Sequence, residues 1–232
     1  MRVAIHQPNF IPWIGYFYKM LSVDKFVLLD DVQYTKGGFS NRVKVKAPGQ
    51  EMWITVPIKT SGHFGQLIMD VELCSNLPWK KKILGKFKTN YSKAEYFNPY
   101  YGEFEFILQK NHKKLIDLNV ELLRWLIGIL GINIALIHAS DLKVEGVATT
   151  RLVNICKCVG ADRYICGAGG NKYQDANLFA ESKISLELST FKHPIYRQMG
   201  ANFMSGLSIL DLVFNYGFQS KEILKSVAAN GI

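Results

Sequence analysis

Strand-like and helix-like patterns alternate over about the first thirty residues of the chain. Residues 2–7 run apolar through Val3, Ala4 and Ile5, which predicts a buried strand. Pro12 suits the first turn of a helix, and residues 13–22 follow with a helical pattern. The segment DKFVLLDD then predicts a second buried strand. A strand, a helix and a strand in this order form a βαβ unit, which implies a parallel sheet.

The pattern changes after the second strand. In NRVKVKAPGQEMWITVPI, two alternating runs flank the turn signal APGQE, which predicts a β-hairpin. We then predict, in order, helices over 78–92 and 98–131, a strand over 132–138, a helix over 148–159, a strand over 162–166, a Gly-rich loop, a helix over 174–182, a strand over 184–191, a helix in SILDLVFNYG and a short last helix. The expected fold is a single α/β domain over 1–232, with a Rossmann-like, mostly parallel sheet, flanking helices, the hairpin and a helical insertion at about 78–131.

Composition limits the class of protein. The chain has 232 residues, of which 48% are hydrophobic and 20% charged, values typical of a soluble globular protein. No apolar run reaches the roughly 18–20 residues that a membrane span needs, and the N-terminus does not resemble a signal peptide. We therefore expect a cytoplasmic protein. Cys156 and Cys158 are spaced too closely for a CxxC site, no HExxH or GxSxG motif occurs, and no metal site is predicted.

The net charge of +9 favours an anionic partner, which would be a nucleic acid, a membrane surface or a small phosphorylated substrate. The basic residues are spread along the chain, apart from a cluster between Lys80 and Lys88. At helical spacing such a cluster is typical of a solvated face, and no nucleic-acid-binding motif accompanies it.

Three segments place polar groups at the carboxyl ends of predicted strands, where open α/β sheets bind their ligands. The first holds His6, Gln7 and Asn9, which are candidates for binding or catalysis or, alternatively, hydrogen-bonded core groups. The aromatic residues Trp13 and Tyr16 follow, and we expect one of them to face the ligand.

The second segment is DDVQYTKGGFSNR, in which Asp30 and Asp31 end a strand. Such carboxylates bind a sugar hydroxyl, a divalent metal or an ammonium group, but side chains alternate along a strand, so one of the two is expected to be structural. The further candidates for substrate binding in this segment are Gln33, Lys36, Asn41 and Arg42. Lys36 and Arg42 can donate hydrogen bonds to a phosphate or a carboxylate.

The third segment is YICGAGGNKY, a strand that enters a loop with Gly167, Gly169 and Gly170. Glycines let backbone N–H groups approach an anion closely, although the spacing matches neither a dinucleotide fingerprint nor a P-loop, and a simple tight turn is the alternative. His193 precedes a proline and is expected on an extended segment.

Several long motifs resemble the WbqC-like protein family: HQPNFIPWIGYF, FVLLDDVQYTKGGFSNRVKVK, LLRWLIGILGI, TTRLVNICKCVGADRYICGAGGNKY and FKHPIYRQ with LSILDLVFNYG. The resemblance covers nearly the whole chain and implies a role in O-antigen or other surface-polysaccharide biosynthesis. It further implies transfer of an acyl or aminoacyl group to a nucleotide-linked amino sugar. The loops TKGGFSNR and GAGGNKYQD depart from the family pattern but retain Gln33, Asn41, Gly167 and Tyr173, and Tyr173 is added to the candidates on this ground.

In this hypothesis His6 is the general base, because the pKa of an imidazole can lie near working pH. Asp31 orients it or holds the ammonium, and Arg42 and the Gly167–Gly170 amides bind phosphate or stabilise an oxyanion. His6, Asp31, Arg42 and the Gly167 loop are expected to line one pocket. ATP, a coenzyme A thioester or an aminoacyl-tRNA supplies the activated acyl group. A fainter similarity to pantothenate-synthetase-type ligases implies an acyl adenylate made with ATP, although Trp13 and Tyr16 stand where the histidines of that motif would be. The alternative is a non-catalytic nucleotide-sugar-binding or assembly protein, and a nucleic-acid partner is expected only as an aminoacyl-tRNA donor.

Overall fold

The computed structural model describes residues 1–60, 62, 65–75, 78–167 and 174–229. In these ranges the strands are β1 (Arg2–His6), β2 (Lys25–Leu28), β3 (Arg42–Ala47), β4 (Gln50–Thr55), β5 (Ala135–His138), β6 (Arg163–Cys166) and β7 (Ser185–Leu188). The helices are α1 (Ile14–Leu21), α2 (Trp79–Tyr91), α3 (Phe97–Gln109), α4 (Leu115–Ile129), α5 (Ala139–Leu142), α6 (Ala148–Cys158), α7 (Ala176–Glu181), α8 (Ile209–Tyr216) and α9 (Ser220–Ala229). None of these helices is long and apolar enough to cross a membrane.

Five parallel strands form the central sheet, in the order β5-β2-β1-β6-β7. In the register of the sheet, His6 of β1 lies opposite Leu28 of β2, and Leu28 lies opposite His138 of β5. The strands β1 and β2 are almost wholly buried, as their apolar runs predict. The predicted α/β fold with a Rossmann-like parallel sheet and flanking helices is confirmed.

Helices cover the sheet from both faces. The helix after β1, α1, packs into the core cluster that contains Ala4 and Phe26. In contrast, α6 and α7, which precede and follow β6, pack into the cluster that contains Val3 and Val27. Successive residues of a strand point to opposite faces, so Val3 and Ala4 belong to opposite sides of the sheet. The chain therefore leaves β1 toward one face and β6 toward the other.

The predicted hairpin is also confirmed. The strands β3 and β4 pair antiparallel as a separate two-stranded sheet, and Ala47 lies opposite Gln50 across the turn. Pro48 and Gly49 form that turn, and Gly49 has a φ of +73°, a conformation that glycine adopts without steric cost.

One predicted helix is in fact two. The sequence pattern predicts a single helix over 98–131, but α3 ends at Gln109 and α4 begins at Leu115. Between them the backbone of Lys110 is extended, with a ψ of 154°. The N–H groups of Leu73 and Leu115 donate to the carbonyls of Lys113 and Val71. The prediction is wrong because the polar segment KNHKK pairs with residues 71–73 instead of continuing the helix.

Candidate functional site

A crevice opens where β1 and β6 lie side by side. Because the chain leaves these two strands toward opposite faces, the loops after them separate, and ligands of open α/β sheets bind at this switch point. A cavity of about 570 Å³ fills the crevice. Its described lining residues come from the ends of β1, β2, β6 and β7 and from α1 and α6: Ile5, His6, Gln7, Trp13, Gly15, Tyr16, Lys19, Leu29, Leu152, Tyr164, Gly167, Gln174, Ser189 and Phe191.

A slightly larger cavity, of about 670 Å³, lies beside α2 and is lined by several lysines. Three of these lysines already have partners: Lys59 pairs with Glu72, Lys114 pairs with Asp70, and Lys80 donates to the carbonyls of Gln109 and Lys110. The crevice at β1 and β6 is the better candidate because it lies at the carboxyl edge of the sheet and gathers residues of different chemistry.

His6 is the last residue of β1 and is partly buried. Its Nδ1–H donates to the carbonyl of Gln7 at 3.0 Å, which leaves Nε2 as an acceptor, and the ring packs edge-on against Tyr16 at 4.7 Å between centroids. Burial, and the positive charge of Lys19 beside it, lower the pKa of His6 to about 3. The expectation that this pKa lies near working pH is therefore wrong for the ligand-free protein. His6 is a neutral imidazole there.

Lys19 and Gln174 are polar cavity residues that the sequence did not single out. Lys19 lies on α1, one turn after Gly15 and Tyr16, and only 7% of the residue is exposed. Its Nζ lies against the backbone at the end of β6, since a Cβ built on Gly167 would be 3.3 Å from it. Burial lowers the pKa of Lys19 to about 8. The available signal was its place as the one charged residue in the apolar helix IGYFYKML, on the same face as Gly15 and Tyr16.

An aromatic wall bounds one side of the cavity. The Trp13 ring packs edge-on against Phe191 at 5.1 Å and is stacked near His193 at 6.5 Å. His193 itself does not line the cavity; its Nδ1–H donates to the carbonyl of Pro194, and burial lowers its pKa. Tyr16 is almost completely buried and donates its hydroxyl to the carbonyl of Gln7. Trp13 and Phe191 are partly exposed, and of these two cavity residues Trp13 has the larger ring system.

Gln174 contributes an unused polar atom to the cavity. Its amide nitrogen donates to the Tyr164 hydroxyl at 3.3 Å, whereas its buried Oε1 has no hydrogen-bond partner among the described residues. A ligand hydroxyl or N–H group would satisfy this acceptor.

The two carboxylates after β2 point apart, as their sequence positions predict, and both bind protein groups. Asp30 is buried and accepts from His138 Nδ1 at 2.7 Å and from the backbone and hydroxyl of Ser140. Asp31 pairs with Arg151 of α6, although burial still raises its pKa. Neither residue lines the cavity, and the predicted contact between Asp31 and His6 is not formed.

The loop that precedes β3 also lies outside the cavity lining. The Arg42 guanidinium donates to the carbonyl of Gly37 and stacks over the ring of Trp53, with its Cζ 4.2 Å from the ring centroid. Asn41 is buried, accepts from the Tyr34 hydroxyl and donates to the carbonyl of Val56. The expected pocket shared by His6, Asp31, Arg42 and Gly167 is therefore only partly formed: His6 and Gly167 line it and the other two do not.

The remaining candidates are placed as follows. Gln33 and Lys36 are exposed, and Asn9 is buried without lining the cavity. Gly169, Gly170 and Tyr173 lie outside the described residues. The binding roles of these residues stay predictions. Among the described residues no cluster of His, Cys, Asp and Glu side chains could hold a metal ion.

Taken together, the described cavity residues offer a neutral imidazole, a buried lysine, a partly exposed indole and an unsatisfied amide oxygen. These groups suit a ligand with an anionic group, hydroxyl or amino groups and a ring that can stack on Trp13.

Comparison with known proteins gives two matches and one negative result. The model of the WbqC-like protein family matches residues 7–223. The uncharacterized protein Rv1507c of Mycobacterium tuberculosis is 35% identical over 228 residues, which cover 97% of each chain. No solved structure matches the chain with statistical significance. The family model matches residues 7–223, which is nearly the whole chain, and the relative is similar over nearly its whole length. The chain therefore belongs to the WbqC-like protein family.

Proposed function

We propose that this protein transfers or ligates an acyl or aminoacyl group, such as glycyl, onto the amino group of a nucleotide-linked amino sugar used for a surface polysaccharide. The observation that carries the proposal is the crevice between β1 and β6, where His6, Gln7, Trp13 and Gly167 line one cavity. The surface-polysaccharide role that the family resemblance implies supports the same substrate class.

In the proposed reaction the sugar amine attacks the carbonyl carbon of an activated acyl donor. The new C–N bond forms, the bond to the leaving group breaks, and the proton lost by the amine departs with the leaving group. The donor is a coenzyme A thioester, an acyl adenylate made from ATP, or an aminoacyl-tRNA.

His6 acts on the amine in this scheme. Its Nδ1–H is held by the carbonyl of Gln7, so its Nε2 accepts a hydrogen bond from the attacking amine and directs the nitrogen lone pair toward the acyl carbon. The partly exposed ring of Trp13 contacts the nucleotide base or the sugar.

A second candidate function is binding without catalysis. Two observations favour it: the pKa of His6 is about 3, and the carboxylates Asp30 and Asp31 are turned away from the cavity. In this case the protein holds a nucleotide sugar for a partner enzyme of the same pathway.

The two functions are separated by one set of measurements. A thermal-shift panel of nucleotide-linked amino sugars first identifies a ligand, since binding to the native state raises the unfolding temperature. That ligand is then incubated with acetyl coenzyme A, with glycine and ATP, or with glycyl-tRNA, and the product is sought by mass spectrometry. Amide formation that His6→Gln slows while ligand binding persists supports the enzyme. Saturable binding without amide formation from any donor contradicts it.

A further inference from the structure

Two lysine side chains are buried in the described structure, and they differ in their partners. Lys46 is 6% exposed, and its Nζ donates to Gln198 Oε1 at 3.1 Å and to the carbonyl of Asn202. Lys19 is 7% exposed, but among the described residues no side chain or carbonyl accepts a hydrogen bond from its Nζ. Within the described ranges, one buried ammonium group therefore has hydrogen-bond acceptors, and the other has none and lines a cavity.

Among the described residues that line the cavity with Lys19, none carries a compensating negative charge. The described cavity lining includes no Asp or Glu, and the sequence of residues 168–173, AGGNKY, contains neither. The titratable groups that face Lys19 are His6 on β1 and Cys166 on β6, with the tyrosines Tyr16 and Tyr164 in the same lining. Burying an ammonium group without an anion is costly, because it loses its hydration and gains no partner.

We infer that Lys19 is the anion-binding residue of this cavity and that its partner is a phosphoryl oxygen of the bound substrate. This inference rests on the crevice being the substrate site of the proposed function, and it identifies the part of the substrate that enters deepest. The position of Nζ against Gly167 places the phosphoryl group at the end of β6, where the Gly-rich segment begins. The partly exposed Trp13 in the same cavity is then available to the nucleoside or the sugar.

Anion binding has a consequence for protonation. In the ligand-free protein burial lowers the pKa of Lys19 to about 8, so a fraction of the molecules carry a neutral amine at that pH. An anion beside Nζ favours the charged form and raises this pKa. Binding near pH 8 therefore takes up protons, and the affinity falls as the pH rises above 8.

The experiment is calorimetric titration of the ligand-free protein at pH 8 with inorganic pyrophosphate, UDP and GDP, with uridine and acetate as probes that lack a phosphoryl group. Wild type is expected to bind at least one of the phosphorylated probes. Lys19→Met is expected to weaken that binding about tenfold or more, because it removes a charge-assisted hydrogen bond. Lys46→Met is the matched control and is expected to keep the wild-type affinity. Repeating the titration in buffers of different ionisation enthalpy is expected to show proton uptake in wild type and none in Lys19→Met.

Stability distinguishes a lost ligand contact from a damaged fold. Lys19→Met removes an uncompensated charge and is expected to unfold at the same or a higher urea concentration than wild type at pH 7, whereas Lys46→Met loses two hydrogen bonds and unfolds earlier. Equal pyrophosphate or nucleotide affinity in wild type and Lys19→Met overturns the inference, and so does binding of acetate alone or of none of the probes. If the protein forms the amide but Lys19→Met binds the phosphorylated probes as tightly as wild type, only this inference is contradicted. If Lys19→Met weakens binding but no donor gives an amide product, only the proposed function is contradicted.

Discussion

The indole of Trp13 lies directly over Gly15, close enough that a Cβ on Gly15 would be 2.5 Å from the ring. Glycine inside a helix costs roughly 1 kcal/mol relative to alanine, so α1 carries this residue at a cost to its own stability. The absence of a side chain at Gly15 allows the indole to approach the helix this closely, and both residues line the cavity.

Gly15→Ala is therefore expected to displace the Trp13 ring and to destabilise the protein by about 1–3 kcal/mol, as overpacking does, despite the better helix propensity of alanine. Gly85→Ala in α2 is the matched control: a Cβ there meets nothing within 4 Å, and the change is expected to stabilise by roughly 0.5–1 kcal/mol. Urea unfolding measures both. A gain in stability for Gly15→Ala equal to that of Gly85→Ala would show that the two residues are not in close contact.

The β1–α1–β2 unit could be predicted from sequence because its apolar runs are short, dense and bounded by prolines and carboxylates. His6, Gln7 and Gly167 could be assigned to the sheet edge for the same reason, since the ends of parallel strands fix their positions. The pairing of adjacent parallel strands is enough to bring their carboxyl ends together, so the contacts between distant segments need not be known.

Contacts between distant segments could not be predicted in this way. The partner of Asp31 is Arg151, 120 residues away, and only the packing of α6 brings the two together. Lys19 stands out as the one charged residue of an apolar helix, but its burial depends on how the end of β6 packs beside α1. The sequence predicts that Arg42 donates hydrogen bonds to a phosphate, but the pairing of β3 with β4 places Trp53 beneath its guanidinium.

Asn119 ties the turn after β1 to the loop before β3. Its buried amide nitrogen donates to the carbonyls of Pro8 at 3.1 Å and of Ser40 at 2.8 Å. Asn119→Ala leaves both buried carbonyls without this donor and is expected to destabilise by about 2–3 kcal/mol. Asn90→Ala, which removes a bond from an exposed asparagine to the carbonyl of Lys86, is expected to change stability by less than about 0.5 kcal/mol. Chemical denaturation that ranks the two variants equally would contradict this assignment.

Asp211 is expected to make stability depend on pH. It is fully buried, accepts from the hydroxyls of Tyr91 at 3.0 Å and Tyr196 at 2.8 Å, and burial raises its pKa to about 6. Because the folded state holds this proton more tightly than the unfolded state, Asp211 destabilises the fold as the pH rises from about 4 to 6, and the loss persists above 6.

Asp211→Asn removes this titration. Between pH 4.5 and pH 7, wild type is expected to lose more of its free energy of unfolding than the variant does, by about 2 kcal/mol. Other titrating groups are common to both proteins and cancel in the comparison. Parallel urea curves at the two pH values measure the difference, and an equal change in both proteins would place the pKa of Asp211 in its ordinary range.

His6 is expected to stay neutral throughout the physiological range in the ligand-free protein, because burial and Lys19 lower its pKa to about 3. Its imidazole resonances, identified by their loss in His6→Gln, should not titrate between pH 5 and 8. In the unfolded chain His6 takes up a proton near pH 6.5, and in the folded chain it does not. The contribution of neutral His6 to the free energy of unfolding is therefore fully present above pH 6.5 and is lost as the pH falls toward 3. Wild type should therefore lose more stability than His6→Gln between pH 7 and pH 4. An imidazole that titrates near pH 6.5 would instead show that His6 is solvated and that the crevice is open to water at the end of β1.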